Sequence, residues 1–306
     1  MSVDSGGDRA VEYDVAVVGG GPAGCSVGVF TARYGLDTVV FDRGNSSLRR
    51  CAYLENFLGF PAGIDVETFY GLIHDHVEEA GCDRLAEMVE TVERTDGDAF
   101  VLETQTGRHV TATRVVAAAR YDATYLRPLD DAGEMFETDE HGDEVRERFD
   151  RDYPDDDGST PVDGLYVAAP TDAEAQAILS AGHGARVART LLSDVRRECG
   201  YPDALADHWD WVRSETDLSG EWTDRDRWRE WFDGRLPDDC EVDESTLVDL
   251  RERQIDRRFE AYLSDDEIDR RTRRGQRRLL EHLDDDLVLD AAREIAAERE
   301  GSGTTN

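Results

Sequence analysis

The chain has 306 residues, with 35 basic against 70 acidic side chains and a net charge of −35, and every basic residue is an arginine. The absence of lysine excludes a lysine Schiff base and a P-loop lysine, and so PLP chemistry and Walker-type phosphate binding; the carboxylate excess argues against nucleic acid and anionic membranes as partners. A hydrophobic share of 39%, with 5 Trp, 10 Tyr and 10 Phe, excludes a wholly disordered chain, so the charge is expected to reflect a halophilic setting in which salt screens the repulsion.

The polar start Met1-Ser2-Val3-Asp4 does not have the form of a signal peptide, and no apolar run reaches membrane-spanning length, so a cytoplasmic protein is expected. Tyr13 to Val18 is a β-branched apolar run, the pattern of a buried parallel strand. The turn Gly19-Gly20-Gly21-Pro22-Ala23-Gly24 follows at once, and Pro22 to Tyr34 has the pattern of a helix. Leu36 to Phe41 is a second apolar strand, ending at Asp42, and a helix is expected over Val66 to Ala80, closed by Gly81. Met88 to Val92, Ala99 to Thr104 and Arg108 to Thr111 are short strands separated by Asp96-Gly97 and Thr106-Gly107, which suggests a β-meander. Arg114 to Ala119 returns to a buried strand.

Residues 130–163 hold 15 Asp or Glu against 3 Arg with little periodicity, the composition of an exposed acidic connector. Gly164 to Ala169 is a last strand, and Thr171-Asp172-Ala173-Glu174 fits a capping box opening a helix that runs to about Arg197. Beyond Tyr201 the sequence is charged and helical and holds all five Trp; Trp228, Trp231 and Phe232 share a helical face, as do Leu247, Arg251, Ile255 and Phe259. Such faces need cover, either from the first domain or from a second copy of the chain. Ser264-Asp265-Asp266-Glu267 is a second capping box.

Gly19-x-Gly21-x-x-Gly24, directly after a strand and opening a helix, is a dinucleotide fingerprint. Gly19 permits the tight turn, Gly21 lets the backbone approach a pyrophosphate, and Gly24 lets helix and strand pack closely. The helix N-terminus, with Pro22 and Ala23, offers free amides and a partial positive charge to the phosphates. Asp42 lies 18 residues past Gly24 at the end of the second strand, where an acid accepts from a ribose hydroxyl. An acid there suits FAD or NAD and disfavours NADP.

Cys25, Cys51, Cys82, Cys199 and Cys240 are odd in number and contain no CxxC, which argues against a disulfide framework, a zinc site or a dithiol pair. Cys25, just after the turn, is expected to pack its helix. His74 and His76 are two apart on a helix and diverge, so no metal site is expected. The cluster Arg270, Arg271, Arg273, Arg274, Arg277 and Arg278 is flanked by acids at helical ion-pair spacing. It reads as a salt-bridged face, with an anionic docking patch as the alternative.

Residues 13–196 resemble the FAD domain of the thioredoxin reductase-like flavoprotein disulfide reductases. The matching pieces are Val17 to Gly24, then Leu54-Glu55-Asn56-Phe57-Leu58-Gly59-Phe60-Pro61 with Gly63-Ile64, the meander, Val115-Val116-Ala117, and Gly164 to Ala168 leading to Gln176-Ala177 and Ser180-Ala181-Gly182-His183-Gly184. The resemblance implies a Rossmann-like α/β fold with bound FAD, Asn56 near the flavin end, and a helix from near Ala173 that points Gln176 and Ala177 at the isoalloxazine, its dipole favouring reduced flavin. It also places Cys51 in a segment running close to the cofactor, a redox thiol with Arg49 and Arg50 as positive neighbours or else a partly buried packing residue. His183, between two glycines near the flavin, is the acid–base candidate, with a structural role as the alternative.

Three departures stand against this likeness. The position at which the family inserts its NADPH domain and CxxC holds only the acidic connector, without a second glycine fingerprint. The family's Ala-Thr-Gly turn is replaced around Ala118-Ala119-Arg120, and its Gly-Asp before the last helix is Ala169-Pro170, with Asp172 a candidate substitute. The expected organisation is an FAD-binding domain over 13–200 and a Trp-containing helical extension over 201–306. The expected activity is that of an FAD-dependent oxidoreductase acting with a small-molecule substrate or a protein electron donor, with the C-terminal helices as the candidate contact of a homodimer. The alternative is a non-catalytic flavin-binding or dinucleotide-binding interaction protein.

Overall fold

The computed structural model describes residues 12–119, 123–141, 144–169 and 176–302. Strand β1 (Tyr13–Val18) alternates its faces, as a two-residue period requires. Ala16 and Val18 enter one buried cluster and Val15 and Val17 another, so the strand is covered on both sides. Helix α1 (Pro22–Tyr34) follows with Pro at its first position, and β2 (Thr38–Phe41) returns parallel to β1 with Val15 opposite Thr38. A short antiparallel pair, β3 (Tyr53–Leu54) and β4 (Ile64–Asp65), leads into α2 (Val66–Glu79), whose first turn is capped by Asp65 accepting from the Thr68 amide at 2.8 Å.

The seven-stranded sheet is completed by β5 (Asp83–Leu85), β6 (Val89–Arg94), β7 (Phe100–Thr104), β8 (His109–Ala117) and β11 (Leu165–Val167). Its order is β5-β2-β1-β8-β7-β6, with β11 also paired to β8. The two strands expected at Arg108–Thr111 and Arg114–Ala119 are one. Residues 109–112 of β8 pair antiparallel with β7, and residues 115–117 pair parallel with both β1 and β11. Nothing turns the chain between the two ladders, so a single nine-residue strand serves the meander and the parallel sheet. One face of the sheet packs on α1 and on α3 (Ala177–Glu198); the other is closed by the meander and by the 3-10 turn Thr124–Leu129.

The stretch expected to be an exposed connector is partly folded. It forms a hairpin of β9 (Phe136–His141) and β10 (Glu144–Phe149), with Phe136 opposite Phe149. Met135 is fully buried, and Phe136, Phe149 and Tyr153 pack edge to face. A net acidic composition hid these apolar anchors, whose partners are distant in sequence. The capping box at Thr171–Glu174 lies outside the described residues, and α3 begins at Ala177 with Gln176 as its N-cap rather than near Ala173.

By compactness the chain divides into one unit reaching to Asp210 together with Trp231–Arg251, and a second of Trp211–Glu230 with the residues from Glu252 onwards. Within the first, α4 (Asp203–Ala206) follows α3, and Tyr201, Leu205, Phe232 and Leu250 form a buried cluster. Part of the helical extension therefore packs within this unit. Arg196, fully buried, donates to the Leu205 carbonyl at 2.8 Å and stacks on Tyr201 at 3.8 Å. The second unit contains a parallel pair, β12 (Arg213–Ser214) with β13 (Tyr262–Leu263), and packs Trp222 against Trp228 with centroids 4.7 Å apart and ring planes tilted by 53°. Helices α5 (Arg225–Asp233), α6 (Glu244–Glu260), α7 (Asp265–Leu280) and α8 (Asp285–Ser302) complete the chain. Ser264 caps α7 as expected, accepting from the Glu267 amide.

Candidate functional site

The glycine turn joins the C-terminal end of β1 to α1 at the edge of an open cavity of about 420 Å³. What a methyl group would strike separates the four glycines. At Gly19, where φ is +128°, it would lie 2.8 Å from the Ala118 carbonyl. At Gly24 it would lie 1.8 Å from the Gly19 oxygen, and at Gly20 it would fall 2.4 Å from Cβ of Asp42. Those three are required by the fold itself. At Gly21 the nearest atom is the Ser46 hydroxyl at 3.5 Å. Its extended backbone suits any residue (φ −83°, ψ −174°), so neither sterics nor conformation within the protein calls for glycine there.

Asp42 follows β2 and lines this cavity. One carboxylate oxygen accepts from the Gly44 amide at 2.9 Å. The other lies 3.2 Å from Nε2 of His74, which is also 3.0 Å from the Gly20 carbonyl. A carbonyl can only accept, so Nε2 carries the proton and is shared between the two oxygens. His74, on α2, thus ties the acid to the middle of the glycine turn, a role not apparent in the sequence. His76 diverges from it as its spacing requires; burial, then the charge of Arg33, holds its imidazole below the ordinary value. Among the described residues no cluster could hold a metal ion.

Gly19, Gly21, Pro22, Ala23, Asp42, Cys51 and Ala177 all line the cavity, and Gly24 lies behind it, against Gly19. Asn56 and Gln176 meet each other instead, the Asn56 amide donating to Oε1 of Gln176 at 2.7 Å, and neither lines the cavity. His183 is half-buried within α3, away from the lining. Gly184 beside it brings α3 onto α1, since a methyl there would sit 2.2 Å from the Ala23 carbonyl. Cys51 is exposed. Cys25 is buried with its thiol directed at the Gly20 carbonyl, and burial pushes that thiol well up, assisted by Asp42.

The remainder of the lining comes from segments with no motif of their own: Ser46 and Ser47 before a 3-10 turn, Glu87 to Glu90 leading into β6, Ala118 and Ala119 after β8, Tyr125, and Ser180 on α3. Among the described residues Arg43 is the one basic residue of the lining, and α1 has no acid in its first turn. In a chain of net charge −35, an anion at this turn is met by helix amides rather than by a basic patch. The turn of Ala118-Ala119-Arg120 is described only as far as Ala119, and Pro170 and Asp172 lie outside the described residues.

Residues 13–141 match the family model of pyridine nucleotide-disulphide oxidoreductases. The alkyl hydroperoxide reductase F subunit of Staphylococcus aureus is 32% identical over 108 residues, covering 35% of this chain and 21% of that protein. Its Staphylococcus epidermidis counterpart is 36% identical over 86 residues, covering 28% and 17%. The chain thus spans about a fifth of the length of these curated relatives. A thioredoxin reductase structure from Gloeobacter violaceus superposes with a TM-score of 0.49 at 16% identity, over 65% of this chain and 97% of that one. An oxidoreductase structure from Agrobacterium tumefaciens does so with 0.48 at 12%, over 63% and all of the other chain.

Proposed function

We propose, from the match of residues 13–141 to the family model of pyridine nucleotide-disulphide oxidoreductases, that this chain is an FAD-dependent oxidoreductase built on one dinucleotide site. The observation that carries the proposal is Gly21: it lines the open cavity, and unlike Gly19, Gly20 and Gly24 it is not required to be glycine by the fold. The residues present fit the adenosine and phosphate end of FAD. The first-turn amides of α1 would hold the pyrophosphate, and Asp42, with one oxygen steadied by Gly44 and the other by His74, would accept from a ribose hydroxyl. Ala118, Ala119, Ala177 and Ser180 would border the rest of the cofactor. When bound, the flavin supplies electron transfer, and the chain supplies its position and its shielding from water.

With five free cysteines and no CxxC in the chain, electrons would not pass through a dithiol; the donor would be free NAD(P)H, the substrate itself or a protein. The setting proposed is the cytoplasm of a salt-loving cell; no helix among the described residues is long and apolar enough to cross a membrane. The bond between Asn56 and Gln176 favours a second reading, because it engages two side chains assigned to the flavin end. In that reading the protein binds a dinucleotide without turning over.

The visible absorbance of the protein purified in high salt tests both. A yellow protein whose flavin is bleached by NAD(P)H, a substrate or a protein donor and recovers in air supports the oxidoreductase. Bound flavin that no donor reduces supports the second reading, and a colourless protein that takes up no FAD overturns both.

A further inference from the structure

Helices α7 and α8 stand apart from the rest of the second unit in what they leave uncovered. Every α8 side chain from Asp285 to Glu300 except Val288 is exposed, and every α7 residue from Arg271 onwards is exposed. The exposed set includes Leu279, Leu280, Leu283, Leu287, Leu289 and Ile295, with Leu287 at 69% and Ile295 at 50%. Val288, Ala291, Ala292 and Ile295 follow the i, i+3, i+4, i+7 spacing of one helical face, and small residues on that face permit close helix approach. Helices in proteins draw most of their stability from packing an amphipathic face rather than from propensity, so a face of this kind calls for cover.

The charges indicate what covers it. Helix α7 carries six arginines against four acids, and α8 six acids against two arginines. Arg270 and Arg271 pair with Glu267, and Arg278 pairs with Glu281, all within a turn of one another. By residue count α7 has a positive surplus beside the negative surplus of α8. An acidic partner would be drawn to α7 and repelled by α8, and a basic partner the reverse. A surface bearing both signs, in the order that faces each helix with its opposite, is present in the chain itself.

We propose that α7 and α8 form the interface of a homodimer, in which a two-fold axis sets α7 of one copy against α8 of the other and buries both apolar faces in a four-helix arrangement. At about 1.5 Å per residue the helices are roughly 24 and 27 Å long, extended enough to approach the ~800 Å² per partner of a stable interface. Elsewhere two copies of net charge −35 repel, so the contact is to be sought in high salt, where that repulsion is screened.

Sedimentation velocity of the full chain in high salt, across the micromolar range, tests this. The expected result is a species of twice the chain mass. Leu287→Asp with Ile295→Asp should give a monomer whose flavin content matches wild type. Arg273→Glu with Arg277→Glu should weaken dimerisation by roughly tenfold or more, and adding Asp290→Arg with Glu294→Arg should recover it, which simple unfolding of the helices could not do. A wild-type monomer throughout, a dimer indifferent to the aspartates, or charge reversals without effect and without rescue would each overturn the proposal.

Discussion

The division of labour within the glycine turn can be tested by two alanine substitutions three residues apart. In Gly24→Ala the new methyl would lie 1.8 Å from the Gly19 oxygen and 3.0 Å from its carbon. Both are backbone atoms, and Gly19 is held by the hydrogen bond its amide donates to the Phe41 carbonyl at 2.9 Å. The strand-to-helix connection must therefore shift as a whole, at a cost of about 3–5 kcal/mol, the upper range for a point substitution. In Gly21→Ala the nearest atom is 3.5 Å away and the backbone already has a conformation open to alanine. The gain of ~0.4–1 kcal/mol from a stiffer unfolded chain roughly offsets the loss from a poorer N-cap, so stability should stay within about 1 kcal/mol of wild type.

The methyl of Gly21→Ala nevertheless stands where the phosphates would approach the amides of α1. Losing one or two charge-assisted hydrogen bonds, each ~1.5–3 kcal/mol, should weaken FAD binding roughly tenfold to a hundredfold or more. The assay is denaturant unfolding of FAD-stripped protein, because bound cofactor would itself stabilise the fold, alongside flavin titration followed by fluorescence. Wild-type FAD affinity in Gly21→Ala, or equal destabilisation by the two substitutions, would refute the argument.

Three other perturbations probe separate parts of the molecule. Asp42→Ala should weaken FAD by about 1.5–3 kcal/mol, measured by the same titration; unchanged flavin retention would remove the ribose assignment. Phe232→Ala empties a fully buried position among Tyr201, Leu205 and Leu250 and should cost ~3–5 kcal/mol in denaturant unfolding; a loss under about 1 kcal/mol would mean that this cluster is not part of the cooperative core. His76 has a folded pKa below its ordinary value near 6.5, so its contribution to stability is present above that value and is lost as the pH falls through it towards the folded pKa. Wild type should lose more stability than His76→Gln between about pH 7.5 and 5.5; parallel curves would show that burial does not disfavour the charged ring.

Much of the site could be read from residue order because its determinants are local. A β-branched run, a glycine turn and a helix with proline at its first position specify a strand–turn–helix within some twenty residues, and Asp42 follows from the length of the second strand. Gly20 could not be read in this way. It is dispensable to the fingerprint yet is held to glycine by Asp42, 22 residues later, across a contact that only the sheet creates. His74 reads in the sequence as half of a diverging pair, and its actual partners, Asp42 and the Gly20 carbonyl, come from two other elements. Likewise β8 reads as two strands because its halves answer to different neighbours, and Met135 is lost in an acidic background because its burial depends on residues far along the chain.

By itself, then, the sequence determined the α/β class, the place of the glycine turn between strand and helix, the position of Asp42 after the second strand and the lack of a CxxC motif. All of these depend on short-range sterics, hydrophobic period and residue chemistry. The tertiary structure alone decided which glycines the fold requires and which one it leaves free to vary. It joined two expected strands into one, placed Asn56 against Gln176, and drew residues 231–251 into the first unit while α7 and α8 stayed exposed. Those outcomes depend on which surfaces meet. A linear pattern shows that an apolar face must be covered, but the cover is chosen only when the chain closes on itself and its steric and charge complements come within reach.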